Sequence, residues 1–387
     1  MNANLGEHCE TSGGSVKRRW GSRSSAAKGC ALVAVALVAA AACGSSSSGG
    51  TTPPAGTSSS PKAGLISAAE CAANKAAGTI TYVSPFGFDA SSGIIDVFAA
   101  QKLGYFKDLC LTVKFVTNSQ DSTSLVSAGK AQVTNVGSAA DYLSSVGSGA
   151  NIKAVATYGD TSDYCIITQK NITSLKQLEG KTLGYHFVKE APVLQMLVAA
   201  GADPNKVKFV NTSNYDPNQV VQGKINAVGC YQSNEPLSLK AEGAKFNEFT
   251  PAQFGVSGTF NVQFFNKKFL AAHYAAAKDW MRADLHAFDY CAANIAACVN
   301  IEGDYSKAAG ADFVTSHEMQ VWTLESALAK NHTLPGQGVG VESVAEFQPE
   351  AKELVHFRLM KSVPSLPAVT DTTMVSSLYN GSTLIWP

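Results

Sequence analysis

Four short stretches, 84–92, 137–139, 185–190 and 231–236, gather the side chains with the most to offer a small molecule. The last is the richest. Asn234 carries a donor and an acceptor on one amide, and Glu235 accepts at neutral pH. Together they can read the edge of a heterocycle while a ring such as Tyr231 covers its face. The competing reading is local: Glu235-Pro236 opens a helix, where proline is tolerated and a carboxylate favours the dipole. Phe86, Phe88 and Asp89 form a second group, whose rings serve either a cleft or the core. Asp89 and Ser91 either bind a ligand or cap the next helix, with capping the stronger expectation for Ser91. Tyr185, His186 and Phe187 follow a predicted strand, and one or more of them is expected to line a cleft. Glu190 is expected in the first turn of the following helix. Gly137-Ser138-Ala139 brings backbone N–H groups to a helix start, and Asp141, a turn in, is expected to favour that helix dipole.

The charge of these stretches narrows the ligand. They hold one basic residue, Lys189. A nitrate or sulfonate site is expected to use Arg or Lys, or several free helix N–H groups. Aromatics beside Asn and Glu favour a neutral or weakly basic heterocycle, such as an aminopyrimidine or a flavin-like ring. No Gly-x-Ser-x-Gly elbow, phosphate loop or His-Glu-x-x-His motif is present, so a binding protein is expected and not an enzyme. Neither a cofactor nor a metal is expected.

Alternating strands and helices must position these loops. The β-branched run Ile80–Val83 predicts a strand, followed by a helix opening at 91–93 with Ile94, Ile95, Val97 and Phe98 on its apolar side and ending at Gly104. Strands are predicted at 111–116, 133–136 and 152–157, with helices opening at Ser122 and Ser138. The pattern repeats with strands at 165–168, 182–185, 207–210 and 227–231 and helices at 174–178, 190–200, 217–223 and 235–242. A strand at 259–265 and a mainly helical remainder, clearest over 269–291, complete the chain. Such alternation predicts parallel, doubly wound sheets, with ligands outside the carboxyl ends of the strands. The four stretches above lie at those ends.

The N-terminus reads as an export signal. Lys17, Arg18, Arg19, Arg23 and Lys28 precede an apolar run from Gly29 to Ala42, too short to span a bilayer. Ala40-Ala41-Ala42-Cys43-Gly44 resembles a bacterial lipoprotein cleavage box, which implies a lipidated Cys43; an uncleaved anchor and plain cleavage in the alanine run are the alternatives. The segment after it is almost wholly Gly, Ser, Thr and Pro, a flexible tether. Without residues 1–42 the chain carries 25 basic and 28 acidic side chains, and nothing in that balance points to nucleic acid. Six further cysteines remain. In an exported protein an even number suggests disulfides, and 15 pairings are open. Loops closed within one lobe favour Cys71–Cys110, Cys165–Cys230 and Cys291–Cys298. The last requires a helix end between its cysteines, because seven residues of helix rise about 10.5 Å.

Three segments carry a resemblance. Residues 99–107, AAQKLGYFK, look like the A-x-x-x-G-Y-F helix end of nitrate/sulfonate/taurine-type solute-binding proteins. Residues 174–184, SLKQLEGKTLG, resemble their S-L-x-x-L-x-G-K-x-x-G segment. Residues 231–236, YQSNEP, resemble their Glu-Pro cleft loop, and Asn before Glu-Pro is nearer the branch that binds thiamine-pyrimidine precursors. The resemblance runs from about 80 to 387. It implies an α/β, type II periplasmic-binding-protein fold: two doubly wound lobes, a ligand cleft and two crossover strands near 157–165 and 254–261. The expected organisation is a signal (1–42), a lipidated cysteine and tether (43–63), a first lobe (64–160), a second lobe (161–258) and a return to the first (259–387). The resemblance also implies that Ser138 touches ligand. The protein is then expected to be a monomer, lipid-anchored outside the cell membrane, that closes on a small molecule and delivers it to an ABC permease. Sulfonate, nitrate or taurine is the alternative ligand class. A pyrimidine-synthase-like enzyme and a receptor sensor lobe are the alternatives of other kinds; the synthases carry a cysteine cluster that this chain lacks.

Overall fold

The computed structural model describes residues 65–117, 121–185, 189–212 and 216–387. The expected signal, Cys43, the tether up to residue 63, and His186 and Phe187 lie outside the described residues.

The described strands of the two main sheets follow the chain as β1 (Thr79–Val83), β2 (Thr112–Val116), β3 (Val133–Val136), β4 (Ile152–Gly159), β5 (Tyr164–Gln169), β6 (Thr182–Tyr185), β7 (Lys208–Asn211), β8 (Ala227–Tyr231), β9 (Phe246–Phe249) and β10 (Phe260–Asn266). They form two five-stranded sheets, ordered β2-β1-β3-β10-β4 and β7-β6-β8-β5-β9. Each sheet with its helices forms a lobe.

The sheets are mixed, where the alternation predicts parallel ones. β1 runs parallel to β2 and β3, but β10 is antiparallel to β3 and β4. In the second lobe β6 is parallel to β7 and β8, but β5 is antiparallel to β8 and β9. The reversed strands arrive directly from the other sheet. No crossover helix turns the chain back to its starting edge before β5 or β10, so they enter the new sheet pointing the other way. β9 has no counterpart in the sequence reading. Its residues Phe246-Asn247-Glu248-Phe249 are all only partly buried, so neither a period of two nor a continuous apolar run marks it.

Helices place the loops as their patterns require. The Ile95–Leu103 helix buries Ile95, Val97 and Phe98 and ends at Gly104, whose φ of 87° suits glycine. The predicted 269–291 helix is broken at His273 into Lys267–Ala272 and Tyr274–Ala293. In the first lobe Trp280, Phe288 and Trp322 from the return segment pack into the same core as Tyr82, Val97 and Tyr158. The Val344–His356 helix touches both lobes, packing on the Ala139–Gly147 helix of the first and the Ala191–Ala199 helix of the second.

Three disulfides are present: Cys71–Cys110, Cys165–Cys230 and Cys291–Cys298. The last is possible because the helix ends at Ala293; the turn through Asn294 brings the two Cα atoms to 5.4 Å.

Candidate functional site

Between the lobes lies a cavity of about 350 Å³. The first lobe contributes Phe86, Asp89, Ser91, Gly137, Asn261 and Glu325, and the second Asp163, Tyr231, Ser233, Asn234 and Glu235. A second cavity of about 590 Å³ adjoins it, sharing Pro85, Phe86, Gly137 and Tyr231, and is rich in serine hydroxyls from the Ser122–Ser127 and Ala139–Gly147 helices. The rings of Phe86 and Tyr231 meet edge to face at 5.9 Å, and Tyr231 stacks on Tyr164 at 5.0 Å. These rings form the wall between the two cavities.

Polar contacts already join the lobes. Asn234 Nδ2 donates to Asp89 Oδ2 at 3.3 Å, and Asn234 Oδ1 lies 2.9 Å from His317 Nε2. Tyr164 O–H donates to Asp141 Oδ2 at 2.7 Å. Ser233 Oγ lies 2.6 Å from Asp163 Oδ2 and 3.0 Å from Glu325 Oε1. A hydroxyl has one proton to give, so for both contacts to be hydrogen bonds one of the two carboxyls must be protonated.

The electrostatics of the site are one-sided. Asp89, Asp163, Glu235 and Glu325 line the cavity, and among its described lining residues there is no Lys or Arg. Burial pushes Asp89 and Asp163 up to about 7 and Glu235 to about 8. Burial, with the charges of Asp163 and Asp89 adding to it, holds Glu325 well above the usual carboxylate range.

The predicted site residues divide. Phe86, Asp89, Tyr231, Asn234 and Glu235 line the cavity. Phe88 does not; its ring packs on Phe98 at 5.4 Å, the core role. Ser138 is fully buried and caps the Ala139–Gly147 helix, its Oγ accepting from the Asp141 N–H at 3.2 Å. It lines neither cavity. Tyr185 packs against Phe209 on the second sheet, 6.4 Å between rings, and is likewise absent from both linings. Asp141 lines the adjoining cavity, so it does more than favour a helix dipole. Ser91 lines the main cavity, and its side chain caps no helix: the cap position falls at Ile94, Ser91 Oγ donates to Glu325 Oε2 at 2.8 Å, and only the Ser91 carbonyl meets the helix start, accepting from the Ile94 and Ile95 N–H groups. Lys189, the one basic residue of the loops, sits over the Phe209 ring at 4.6 Å, outside both linings.

Sequence reasoning missed Asp163, Ser233, Asn261 and Glu325. Glu325 had a signal. Glu318, Val321, Trp322 and Glu325 fall at one face of the Thr315–Asn331 helix, and all are buried. Carboxylates inside an apolar stripe mark a site or a network. Asn261 sits at φ 45°, a left-handed conformation that Asn tolerates better than most residues, and donates to Ser91 Oγ and the Ser92 carbonyl.

The two-lobed, twice-crossed α/β architecture with a cavity between the lobes is that of the type II periplasmic binding proteins. The NMT1/THI5 like family matches residues 91–296, over half of the chain, and the chain belongs to that family. No curated protein matches the sequence. Solved structures do match its fold. The ligand binding component of an ABC-type import system from Staphylococcus aureus, with zinc bound, aligns at 13% identity and a TM-score of 0.57, over 77% of this chain and 97% of that one. The alkanesulfonate-binding protein SsuA from Xanthomonas axonopodis pv. citri, bound to MOPS, aligns at 11% identity and 0.56, over 76% and 98%. The periplasmic nitrate-binding protein NrtA from Synechocystis PCC 6803 aligns at 14% and 0.56, over 76% and 86%. The desulfurization enzyme DSZB shares the fold at a TM-score of 0.50.

Proposed function

We propose that this protein is the extracytoplasmic solute-binding component of an ABC importer, which closes its two lobes over a small molecule and presents it to a permease. The observation that carries the reading is the cavity itself, lined by both lobes and reached across paired crossings of the chain. Contacts such as Asn234 to Asp89 and Tyr164 to Asp141 are the kind that a hinge makes and breaks. Among the described residues no helix is long and apolar enough to cross a membrane, so membrane attachment rests on Cys43 in this proposal.

Sulfonate- and nitrate-binding proteins share the fold at 11% and 14% identity, so likeness ranks an oxyanion ahead of a thiamine-pyrimidine precursor or a flavin; the cavity lining, with four carboxyls and no Lys or Arg among the described residues, argues against that charge. Enzyme chemistry is the weaker reading; DSZB shares the fold at 12% identity, and likeness at that level speaks for the fold alone.

Three measurements test the proposal. Deleting the gene in the source organism and measuring uptake of radiolabelled candidates must reveal a lost import activity, restored by the wild-type chain. Small-angle scattering must show compaction with the same solute. Substituting Cys43→Ala must release the protein from the membrane fraction; a variant that stays in the membrane would refute the lipid anchor while leaving the binding role intact.

A further inference from the structure

Seven backbone N–H groups in the turns that border the main cavity are already taken by the protein's own side chains. At the start of the Ala139–Gly147 helix, Ala139 N–H donates to Thr259 Oγ1 at 2.7 Å, Ala140 N–H to Glu350 Oε2 at 2.8 Å and Asp141 N–H to Ser138 Oγ at 3.2 Å. Before the Ile95–Leu103 helix, Ala90 N–H donates to Glu318 Oε2 at 2.8 Å, Ser92 N–H to Glu325 Oε2 at 2.7 Å and Gly93 N–H to Asp96 Oδ2 at 3.1 Å. In the Tyr231–Glu235 loop, Tyr231 N–H donates to Glu235 Oε2 at 2.9 Å. Carboxylates stand at each of these helix starts, so the dipoles there are already answered by negative charge.

The cavity wall, by contrast, has acceptors to spare. Asp163 is 2% exposed and lines the cavity, and its Oδ1 has no hydrogen-bond partner among the described residues. Asp89 Oδ1 is equally enclosed and without a partner. A buried acceptor left unpaired is costly, and a bound donor removes that cost. Behind the wall the imbalance continues: Glu318 and His317 approach from the Thr315–Asn331 helix, Asp96 from the Ile95–Leu103 helix and Glu302 from the Ile295–Ala309 helix. Burial lowers the pKa of His317, which disfavours its cationic form as a counter-ion.

We propose that the cavity recognises a protonated nitrogen, an organic cation bearing N–H donors, held among Asp89, Asp163, Glu235 and Glu325 with the Phe86 and Tyr231 rings as walls. This rests on the solute-binding reading and specifies its ligand. An ammonium, amidinium or guanidinium group supplies the donors that Asp163 and Asp89 lack and the charge that the four carboxyls call for. Aromatic faces add a cation–π contribution. A bare metal ion fits less well. The space is far larger than a single ion needs, and no group of three or more His, Cys, Asp or Glu among the described residues is arranged to hold one.

The proposal fixes the sign of a proton linkage. A cation drives the raised carboxyls to ionise, so binding releases protons and weakens as pH falls; an anion drives proton uptake and weakens as pH rises. The test is titration calorimetry on the purified full chain in two buffers of different ionisation enthalpy at about pH 7. The probes are benzamidine, agmatine and putrescine against ethanesulfonate, nitrate, calcium and zinc. Binding of at least one organic cation with proton release supports the proposal. Asp163→Asn and Glu325→Gln, which keep the shape of the site, must each weaken that binding by about tenfold or more, with melting curves confirming that both variants fold. Failure of every organic cation, or binding without proton release, overturns it. If ethanesulfonate or nitrate then binds with proton uptake, the solute-binding role stands and the charge assignment falls; if no probe binds and no uptake phenotype exists, both fall.

Discussion

Ser233 of the second lobe and Glu325 of the first meet across the cleft at 3.0 Å, while the same hydroxyl holds Asp163 at 2.6 Å. The one hydroxyl thus ties two buried carboxyls and two lobes together. Replacing Ser233 by Ala removes the hydroxyl that both carboxyls share, so the closed arrangement loses a contact between the lobes. Hydrogen bonds to charged groups contribute about 1.5–3 kcal/mol, enough to move a balanced hinge by a factor of ten or more. The expected result is a larger radius of gyration for Ser233→Ala in the absence of ligand at neutral pH. An unchanged scattering profile would mean that the contact does not hold the lobes.

The buried acids give the fold an unusual dependence on pH. Asp89 and Asp163 are raised to about 7 and Glu235 and Glu318 to about 8, with Glu342, Glu346 and Glu350 raised in the same direction, all chiefly by burial. In an unfolded chain these groups ionise near 4. Between about pH 4 and 8 the folded protein therefore binds more protons than the unfolded one, and stability falls as pH rises. The melting temperature without ligand is expected to be higher at about pH 5 than at about pH 8.5, by roughly five degrees or more. A melting temperature that climbs over that interval would show that the acids are ionised in the fold at little cost. A bound cation should flatten the slope.

Much of this architecture was legible in local pattern. The runs at 80–83 and 227–231, the glycine stop at Gly104 and the short helix opening at Ser174 each act through neighbours in sequence, so the chain displays them directly. The site was legible only in part. Asn234 and Glu235 stand in a loop whose residue types announce their chemistry. Asp163 and Glu325 are 162 positions apart and become one site only through the fold. The same holds for Glu350, which answers the N-terminus of the Ala139–Gly147 helix from 210 residues away. Without that carboxylate in view, 137–139 reads as an open anion site. Strand direction was hidden for a related reason: β5 and β10 look like any strand in sequence, and their reversal comes from crossing between sheets.

The three disulfides should not be equal. Their closed loops span 39, 65 and 7 residues for Cys71–Cys110, Cys165–Cys230 and Cys291–Cys298. In the chain-entropy account the stabilisation grows with the logarithm of loop length, to about 4 kcal/mol for the two longer loops and about 2 for the shortest. Paired Cys→Ala substitutions, followed by denaturant unfolding, are expected to show Cys291/Cys298 as the least costly pair to remove. The largest loss there would mean that the bridge holds the helix turn through Asn294 and does more than close a loop.

Gly137 sets how near the lobes can come. A Cβ at this position would strike the Tyr231 hydroxyl, with ring carbons only 3.0 Å away. Gly137 lies on the first lobe and Tyr231 on the second, and both line each cavity. The small residue is therefore what lets the Tyr231 ring seat between them. Gly137→Ala must push the ring away or hold the lobes apart, and the first lobe's own packing has no part in the clash. The variant is expected to melt within a few degrees of wild type while ligand binding weakens by about tenfold or more, the consequence of a misplaced wall in a closed site. Adding Tyr231→Phe removes the hydroxyl, which makes the worst contact, and should restore part of the affinity. If Gly137→Ala instead binds as tightly as wild type, the two lobes do not need this approach for ligand capture, and Tyr231 is not the partition that its position suggests.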